Sequence, residues 1–543
     1  MLEINKILDN IISFLITKYT TNELNIILPE FSEITTYKYT NIQPCKNTHI
    51  QSHTTICENL ANFNETTSNR KSRGAYYTSQ NIANFIIINA LNQFYSQNKK
   101  NEKLDNELKL NIDEISDYIN NRTTYDPASG NGEFILSVLK TKIDLMNISK
   151  NNYTPSDILS TIYGNDIDET AVLITKLRLF ILLIQNFKIN ELKGLGKILN
   201  KNITNSDFLT ITNEKKFDFI VGNPPYIEFN KAISKPNENY GNIYANFMIY
   251  SSKLLKTNGI LAFIVPISYI STPRMSKVRY IMSQNLPKQH ILNFSDRPAC
   301  LFKKVHQKLS IFIGQNNKEK EIYTSKYIMW YSKDYDLLLN NIEIYKSQAN
   351  TNFIPKIGNK VESNIYIKLQ SQNNLCLNEN FTKNSKFALY INMRVGFWIK
   401  VFYNPQTSKE YKIYYCKNQN IQNLIYCILN SSLFWWFWTC VSDCWHITKK
   451  EFDYFKIPNN LSHEDLIKSQ KLSKNLQNAL ENTKKFIGST QTKYEYKHKN
   501  CLKQINEIDD FVAKIYGLNK TENSYIKNFN LEYRTSGELK CIK

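Results

Sequence analysis

The sequence predicts an α/β fold: a doubly wound sheet in residues 71–315, followed by a C-terminal α+β region with a helical tail. Three observations predict it. Residues 124–139 read as a strand, a turn with two glycines and an apolar helix. Residues 217–221 are a short apolar run that ends at two prolines. Strand-like and helix-like runs alternate between these segments and beyond them, which is typical of a parallel sheet with helices on both faces.

Changes of composition along the 543 residues predict the other regions. Residues 1–70 predict a helical start, because apolar residues recur with helical spacing, and then a Thr/Asn-rich linker. From residue 316 the glycine-containing motifs end and Tyr, Phe, Lys and Asn dominate, so we expect a second domain at residues 316–460. Residues 461–543 show helical periodicity and predict a helical tail.

The glycine-containing turn predicts a ligand site at the edge of the sheet. Gly130 and Gly132 allow the backbone to turn sharply and to approach a ligand closely. Strand, glycine turn and helix together form the arrangement that binds nucleotide-like ligands outside the carboxyl ends of parallel strands. Ile135 stands where a dinucleotide motif would have its third glycine, which argues against a dinucleotide.

The tetrapeptide Asn223-Pro224-Pro225-Tyr226 predicts a rigid platform after the strand at residues 217–221. The prolines end the strand and restrict the residues before them to extended geometry. The Asn223 side-chain oxygen and the Pro224 carbonyl can each accept one N–H of an exocyclic amine on a heteroaromatic ring, and Tyr226 offers a face on which a planar base stacks. The alternative interpretation is an ordinary strand followed by a proline-rich turn.

Taken together, these motifs resemble the adenine-specific (N6) DNA methyltransferases of restriction-modification systems. The resemblance covers about residues 70–315, in the subgroup whose cofactor motifs precede the catalytic motif and whose target recognition domain is C-terminal. It implies a Rossmann-like class I methyltransferase domain at residues 71–315 and a target recognition domain at residues 316–460. It also implies S-adenosyl-L-methionine as the cofactor, double-stranded DNA as the substrate, flipping of the target base and a cognate restriction endonuclease as a partner to be sought.

The same resemblance assigns roles to individual residues. Asp166 corresponds to the acid on the cofactor ribose, Asp207 to the residue at the cofactor adenine, and Phe302 to the ring that covers the flipped base opposite Tyr226. Ser79 replaces the usual proline of the first motif, residues 73–79, and Asp166 stands where many relatives have Glu. The expected catalytic residues are Asn223, Pro224, Pro225 and Tyr226, and the expected cofactor-binding residues are Thr78, Asp126, Ala128, Gly130, Gly132, Asp166, Asp207 and Asn223.

The formal net charge of +20 has two interpretations. Lys far outnumbers Arg, and Asn and Ile are abundant, so part of the excess can reflect an AT-rich coding background and a well-solvated surface. The other interpretation is attraction to a polyanion, which the base-amine platform favours. Ten Cys without a secretory leader indicate a reducing compartment, so we expect a cytoplasmic protein without a membrane association.

The apolar run at residues 424–441 approaches the length of a membrane span but is interrupted at residues 430–432, which predicts a buried helix. We expect its aromatic residues 434–438 to be core. Cys440, Cys444 and His446 lack a second ligand pair at zinc spacing, so no metal site is expected. A nearby polar cluster either faces DNA or is ordinary surface; it comprises Ser442, Asp443, His446, Thr448, Lys449 and Lys450.

Two other functions remain open on the sequence. Methyltransferases of protein glutamine or ribosomal RNA also use an Asn-Pro-Pro-aromatic platform, but they are usually compact. A non-catalytic DNA-binding specificity subunit with a decayed cofactor fold is the second alternative, against which the intact motifs argue. Phe302 has its own alternative, which is core packing beside Ile311 and Phe312. No acid-acid-Lys nuclease constellation is evident, so cleavage by this chain is not expected.

Overall fold

The computed structural model describes residues 2–36, 53–63, 78–95, 103–149, 151–210, 214–232, 234–302, 305–350, 352–370, 375–458, 461–489 and 492–537. Its first helices are α1 (Leu2–Lys18), α2 (Thr21–Thr35), α3 (His53–Asn62) and α4 (Gln80–Tyr95). The predicted helical start is thus observed as α1 and α2. A capping box begins α2, in which Thr20 and Glu23 exchange hydrogen bonds.

A mixed nine-stranded sheet lies at the centre of the described residues. The strands of this half are β1 (Lys103–Leu104), β2 (Thr124–Asp126), β3 (Ile162–Asp166), β4 (Ile203–Asn205), β5 (Phe217–Gly222), β6 (Leu255–Pro266), β7 (Lys288–Phe294), β8 (Leu309–Gln315), β9 (Glu321–Ile328), β10 (Ile342–Glu343) and β11 (Tyr345–Lys346). The order across the sheet is β11-β9-β7-β8-β6-β5-β2-β3-β4. The strands β4, β3, β2, β5 and β6 are parallel, and β8 is antiparallel to both its neighbours, β6 and β7.

Helices cover both faces of this sheet, as the alternating pattern predicts. They are α5 (Ile112–Asn121), α6 (Glu133–Ser149), α7 (Pro155–Leu159), α8 (Glu169–Asn186), α9 (Leu195–Asn202), α10 (Ile243–Lys253), α11 (Ser268–Ser271) and α12 (Ser276–Asn285). One face packs against α4, α6 and α8, and this core continues into the N-terminal helices. The other face packs against α10 and α12, and this core continues into the C-terminal half. The predicted doubly wound α/β fold is confirmed.

The sheet continues past residue 315. Strand β9 pairs parallel with β7, and β11 pairs antiparallel with β9. The strands before residue 315 and the strands β9 and β11 after it therefore share one sheet. The predicted domain boundaries stay predictions.

Helix α2 packs against α9, which in turn packs against the outer strands β3 and β4 of the sheet. The two carboxylate oxygens of Glu30, on α2, accept the backbone N–H groups of Gly194 (2.6 Å) and Gly196 (2.7 Å). A carboxylate at a helix N-terminus satisfies donors that have no partner within the helix and complements the helix dipole. A Cβ on Gly196 would lie 2.9 Å from Glu33 Cβ, so this contact requires a glycine.

The C-terminal half combines small sheets with helices. The helices are α13 (Lys360–Gln370), α14 (Gln419–Asn430), α15 (Ser432–Val441), α16 (Lys449–Tyr454), α17 (His463–Asn482), α18 (Leu502–Ile515), α19 (Lys520–Asn528) and α20 (Leu531–Arg534). The strands are β12 (Leu375–Cys376), β13 (Phe381–Thr382), β14 (Ala388–Asn392), β15 (Val401–Phe402), β16 (Tyr411–Cys416), β17 (Lys456–Ile457), β18 (Lys485–Phe486) and β19 (Tyr494–Glu495). Four of them form an antiparallel sheet in the order β13-β16-β14-β15.

The apolar run at residues 424–441 is buried as two helices, α14 and α15, which pack against α17 and α18. All ten residues of α15 are buried, so its aromatic residues are core, as predicted. No helix in the described ranges has by itself both the length and the apolar character to cross a bilayer; α14 and α15 reach them only together, with a 66° bend between them.

Two lysines turn inward around the segment after α15, and one of them, Lys450, joins the two halves of the chain. Lys356 Nζ donates to the Ser442 carbonyl (2.7 Å), and Lys450 Nζ donates to the carbonyls of Ser271 (2.7 Å) and Val441 (2.6 Å). Ser442 and Lys450 belong to the polar cluster for which the sequence left DNA contact open. Both are largely enclosed within the protein, whereas Lys449 is exposed. For these two residues the structure favours a role inside the protein.

Candidate active site

Four of the predicted site residues lie at one edge of the sheet. Because β2, β3, β4 and β5 are parallel, their carboxyl ends lie side by side. Asp126 ends β2, Asp166 ends β3, Asp207 follows β4 and Asn223 follows β5. Ligands of doubly wound folds bind outside this edge. The structure therefore brings together the residues that the motifs selected one by one.

The glycine loop after β2 is held by its own backbone and by Thr175 of α8. Asp126 Oδ1 accepts the Ala128 N–H (3.0 Å), and Gly132 N–H donates to the Ser129 carbonyl (2.8 Å). Gly130 and Gly132 have φ angles of 51° and 85°, in the region that favours glycine. A Cβ on Gly132 would lie 2.8 Å from Thr175 Cγ2, whose hydroxyl in turn donates to the Gly130 carbonyl (2.9 Å). Both glycines are thus required by the shape of the loop.

The Asp166 carboxylate receives backbone donors from two loops. Its Oδ2 accepts the Gly130 N–H (2.8 Å), and its Oδ1 accepts the Asp168 N–H (2.9 Å). A carboxylate oxygen can accept more than one hydrogen bond, so the arrangement is compatible with a cofactor ribose. Burial, with the nearby charge of Asp166, raises the pKa of the Asp126 carboxyl well above its usual range.

Asn165 joins three of the strand ends, a role that was not predicted from its place in the motif. It is 1% exposed. Its Nδ2 donates to the Ser206 carbonyl (2.9 Å), and its Oδ1 accepts the hydroxyls of Thr204 (3.1 Å) and Ser206 (2.5 Å). Its own carbonyl accepts the Ser129 N–H of the glycine loop (2.9 Å). The sequence signal that could have revealed it is an amide side chain at the end of a predicted strand, directly before Asp166.

The Asp207 side chain is partly buried beside the end of β4. Asp207 Oδ1 accepts the Leu209 N–H (3.0 Å), which shapes the turn after the strand. The other predicted contact, Thr78, is buried at the start of α4, on the opposite side of the glycine loop. Residues 73–77 of the first motif lie outside the described residues.

The Asn-Pro-Pro-Tyr platform is in contact with the cofactor residues. A Cβ on Gly222, at the end of β5, would lie 2.6 Å from Asp126 Oδ1, so only glycine allows these strands to approach this closely. The next residue, Asn223, donates from Nδ2 to Thr78 Oγ1 (3.2 Å). This bond fixes the amide so that Oδ1 is the end turned away from Thr78. Pro224 is buried, and Pro225 is partly buried.

The Tyr226 ring is oriented from two sides. Its hydroxyl donates to the Ile264 carbonyl near the end of β6 (3.0 Å). The ring also meets Tyr244 of α10 edge to face, with centroids 6.3 Å apart. Tyr226 remains partly exposed, whereas its predicted partner Phe302 is 3% exposed and belongs to the apolar core. The role of Phe302 opposite a flipped base stays a prediction, and its neighbours Lys303 and Lys304 lie outside the described residues.

The third helix of the N-terminal region touches the glycine loop. Asn131 Nδ2 donates to the carbonyl of Ala61, near the end of α3 (2.9 Å). Arg178 of α8 supports the same loop through the Asn131 carbonyl and the Glu133 carboxylate, both at 2.5 Å. Contact between the N-terminal helices and the glycine loop was not predicted from the sequence. The bond between Asn131 and Ala61 shows that α3 supports this loop. Within the described ranges, no three His, Cys, Asp or Glu side chains come together as a metal site.

Comparison with known proteins identifies the segment that carries this site. Residues 160–300 match the family described as Eco57I restriction-modification methylase. The predicted resemblance to restriction-modification methyltransferases is confirmed. A putative type II restriction enzyme and methyltransferase, RM.MjaORFECS2P of Methanocaldococcus jannaschii, is 31% identical over 167 residues, which are 25% of this chain and 14% of that protein. Modification methylase CviBIII of Paramecium bursaria Chlorella virus NC1A is 42% identical over 71 residues, which are 12% of this chain and 19% of that protein.

A solved structure extends the similarity of fold over most of the chain. The Type IIL restriction-modification enzyme MmeI, solved in complex with DNA, aligns with a TM-score of 0.55 at 14% identity. The alignment covers 91% of this chain and 83% of that one. The two curated relatives are matched over less than a fifth of their own lengths.

The similarity to this methylase family implies S-adenosylmethionine as the cofactor, and the residues at the sheet edge fit it. The glycine loop leaves open space beside Gly130, where an added Cβ would meet no atom within 4 Å. Asp166 and Asp207 lie at the ends of the two strands beyond the loop, in the order of the ribose and adenine contacts that the resemblance implies. These residues would hold the cofactor next to Asn223.

Proposed function

We propose that this chain is a site-specific adenine DNA methyltransferase. It transfers the methyl group of S-adenosylmethionine to the exocyclic N6 amine of adenine in a specific double-stranded DNA sequence, within a restriction-modification system. The observation that carries the proposal is the position of Asn223-Pro-Pro-Tyr226 against the cofactor loop, with Gly222 packed on Asp126. An amine-binding platform and a site for a methyl donor then share one edge of the sheet.

The platform supplies what a base amine lacks as a nucleophile. The lone pair of such an amine is delocalised into the heteroaromatic ring. Asn223 Oδ1 and the Pro224 carbonyl accept its two N–H groups, which directs the lone pair out of the ring plane. The hydrogen bond from Asn223 Nδ2 to Thr78 keeps the amide in the orientation that this requires. The bound cofactor supplies a methyl group already activated on a sulfonium, so the chemistry needs no metal.

The target adenine must leave the duplex, because its amine is otherwise paired. Unstacking costs roughly a few kcal/mol, and stacking on an aromatic side chain returns about 1–3 kcal/mol. Tyr226 supports this role because the Ile264 carbonyl and Tyr244 hold its ring in place before a base arrives. The resemblance implies Phe302 as the second ring; its side chain is 3% exposed in the apolar core, so contact with a base requires that side chain to be uncovered.

Duplex DNA as the substrate is supported by charge and by size. The chain carries a formal charge of +20, which favours a polyanion. It also carries more than two hundred residues after the catalytic motif, which a compact protein or ribosomal RNA methyltransferase does not need. The proposed partner is a cognate restriction endonuclease, because a modification enzyme of this kind protects the host DNA from cleavage by it.

Methyl transfer by the purified chain tests the proposal. We expect label from the cofactor on N6 of adenine in duplex DNA, and not on ribosomes or release factors. Asn223→Ala should bind S-adenosylmethionine within about twofold of the parent and turn over about a hundredfold more slowly, because the lost interaction acts in the transition state.

The matched control is Asn239→Ala, an asparagine in the nearby loop at residues 234–242 whose side chain caps Gly241. It should retain turnover. Label on ribosomal RNA or glutamine would replace the proposal by the first alternative. A folded parent chain that binds DNA but no cofactor would replace it by a specificity subunit.

A further inference from the structure

A small hairpin between α17 and α18 exposes large apolar side chains. Strands β18 and β19 pair antiparallel, with Phe486 opposite Tyr494 and Lys485 opposite Glu495. Phe486 is 65% exposed, Ile487 45% and Tyr494 37%. Apolar side chains clustered in the open on a polar element mark a binding surface.

The hairpin has an aromatic face and a basic face. Successive residues of a strand point to opposite sides, so Phe486 and Tyr494 share one side, with ring centroids 5.5 Å apart. Lys484 Nζ lies 4.7 Å from the Tyr494 ring centroid on that side. Lys485 and Lys493 are on the other side, and both are exposed.

The charge of the hairpin selects a class of partner. Residues 484–499 contain five Lys and a single acid, Glu495. Lysine is depleted in protein–protein interfaces, whereas clustered lysines are typical of surfaces that contact nucleic acid, and exposed apolar side chains can insert between base steps. A two-stranded antiparallel ribbon also has the width that the major groove of DNA admits.

The hairpin is held on the C-terminal half of the chain from both ends of its strands. On the turn side, Lys493 N–H donates to Thr407 Oγ1 (3.2 Å); at the other end, Lys497 N–H donates to Thr483 Oγ1 (3.0 Å). The buried Tyr496 packs on Phe402 of β15, with centroids 4.6 Å apart. A binding element that is ordered beforehand loses less conformational entropy on binding.

We propose that this hairpin enters a groove of duplex DNA, with Lys485 and Lys493 on phosphates and Phe486 and Tyr494 against the bases. The inference rests on the proposed function and adds the element of the C-terminal half that touches the duplex. No feature of the sequence had singled out this segment, because its strands are only two residues long.

Salt-dependent binding of the full chain to a fluorescein-labelled duplex of mixed sequence tests the lysines. Each phosphate contact contributes about 0.9 to the slope of log affinity against log salt. Lys485→Ala/Lys493→Ala should therefore lower the slope by about two. The control Lys197→Ala/Lys201→Ala removes the same charge from exposed positions on α9 and should leave the slope within about 0.5 of the parent.

The same assay tests the rings. Phe486→Ser/Tyr494→Ser should weaken binding about tenfold, with unchanged S-adenosylmethionine affinity and melting temperature. The single variant Phe486→Trp, which keeps an aromatic ring at this position, should bind the duplex as tightly as the parent. Ile148→Ser is the control, since Ile148 is 63% exposed near the end of α6, at the edge of the sheet opposite the active site.

The outcomes separate this inference from the proposed function. If the parent binds and methylates DNA and the hairpin variants behave like their controls, the hairpin proposal alone is overturned. If the parent binds duplex DNA without transferring methyl groups, the proposed function fails and the comparison of variants still decides the hairpin. Loss of a dimer in the hairpin variants, with DNA binding unchanged, would show that a second copy of the chain occupies the hairpin and would overturn the proposal.

Discussion

Replacement of Asn165 by alanine tests how the edge of the sheet is held for the cofactor. The buried Asn165 side chain makes two bonds to Ser206 and a longer one to Thr204, both of which are themselves partly exposed. Each such neutral bond contributes about 1 kcal/mol, and the partly exposed partners can bind water once the amide is gone, so no further penalty is added. Asn165→Ala should therefore lower the free energy of unfolding by about 2–4 kcal/mol.

The same change should weaken the cofactor site. Asn165 connects the glycine loop, the end of β3 and the turn before Asp207, so its loss should leave three loops of the proposed cofactor site less ordered. If about 1.4 kcal/mol of the lost energy falls on those loops, the dissociation constant of S-adenosylmethionine rises about tenfold. Urea unfolding followed by circular dichroism measures the first quantity. Isothermal titration calorimetry, at a temperature where both proteins are folded, measures the second.

A matched control is Asn293→Ala in β7. Asn293 is equally buried, donates from Nδ2 to the Ser325 carbonyl (3.0 Å) and accepts the Ser310 hydroxyl (3.0 Å). It is separated from β2 by β8, β6 and β5, so its replacement should cost comparable stability without changing cofactor affinity. An Asn165→Ala protein that lost stability as Asn293→Ala does, yet bound the cofactor as tightly as the parent, would refute this reasoning.

Three further outcomes are expected. Gly222→Ala places a Cβ 2.6 Å from Asp126 Oδ1 and should lower the free energy of unfolding by about 1–3 kcal/mol, whereas Gly396→Ala, which meets no atom within 4 Å, should change it by less than about 0.5 kcal/mol. Asn131→Ala loses the bond to Ala61 and should speed amide hydrogen exchange in α3, while exchange in α12 stays unchanged. Burial raises the pKa of Asp509 to about 6 from 3.8, so its stabilising contribution is fully present below pH 3.8 and is lost as the pH rises through 6. Asp509→Asn should flatten that part of the stability profile, by up to about 3 kcal/mol, and an unchanged profile in urea titrations from pH 4 to 7 would contradict the shift.

The N-terminal helices and the C-terminal half contribute to the active site in different ways. Glu30 fastens α2 to α9, and Ala61 at the end of α3 receives the Asn131 amide of the glycine loop. On the other side, Lys356 donates to the Ser442 carbonyl after α15, and Lys450 joins that segment to Ser271 at the end of α11. Both ends of the chain therefore contact the segment that carries the motifs, and that segment would lose these contacts if it were isolated.

The elements that could be predicted from the amino-acid sequence are those whose signals are local. The glycine turn and the exit at Asn223-Pro-Pro-Tyr226 depend on backbone freedom and restriction over a few residues, and both formed where they were predicted. Helix α8 and strand β5 follow from periodicity and apolar runs of their own residues. The alternation of these elements was enough to predict the doubly wound sheet, and with it the common edge on which Asp126, Asp166, Asp207 and Asn223 lie.

The partners of the individual side chains depend on the packing of the whole chain and could not be predicted from local patterns. Asp166 binds the N–H of Gly130, Lys450 turns inward to Ser271, and Phe302 is enclosed in the core. Each of these contacts joins residues that are far apart in the chain or depends on which strand is the neighbour. The composition of a segment shows whether it is apolar or charged. Which side chains come into contact depends on the order of strands β5, β2, β3 and β4 and on the helices packed against them. For the same reason the sheet could extend beyond residue 315, and Asn165 could become the link between three loops, without any local sign in the sequence.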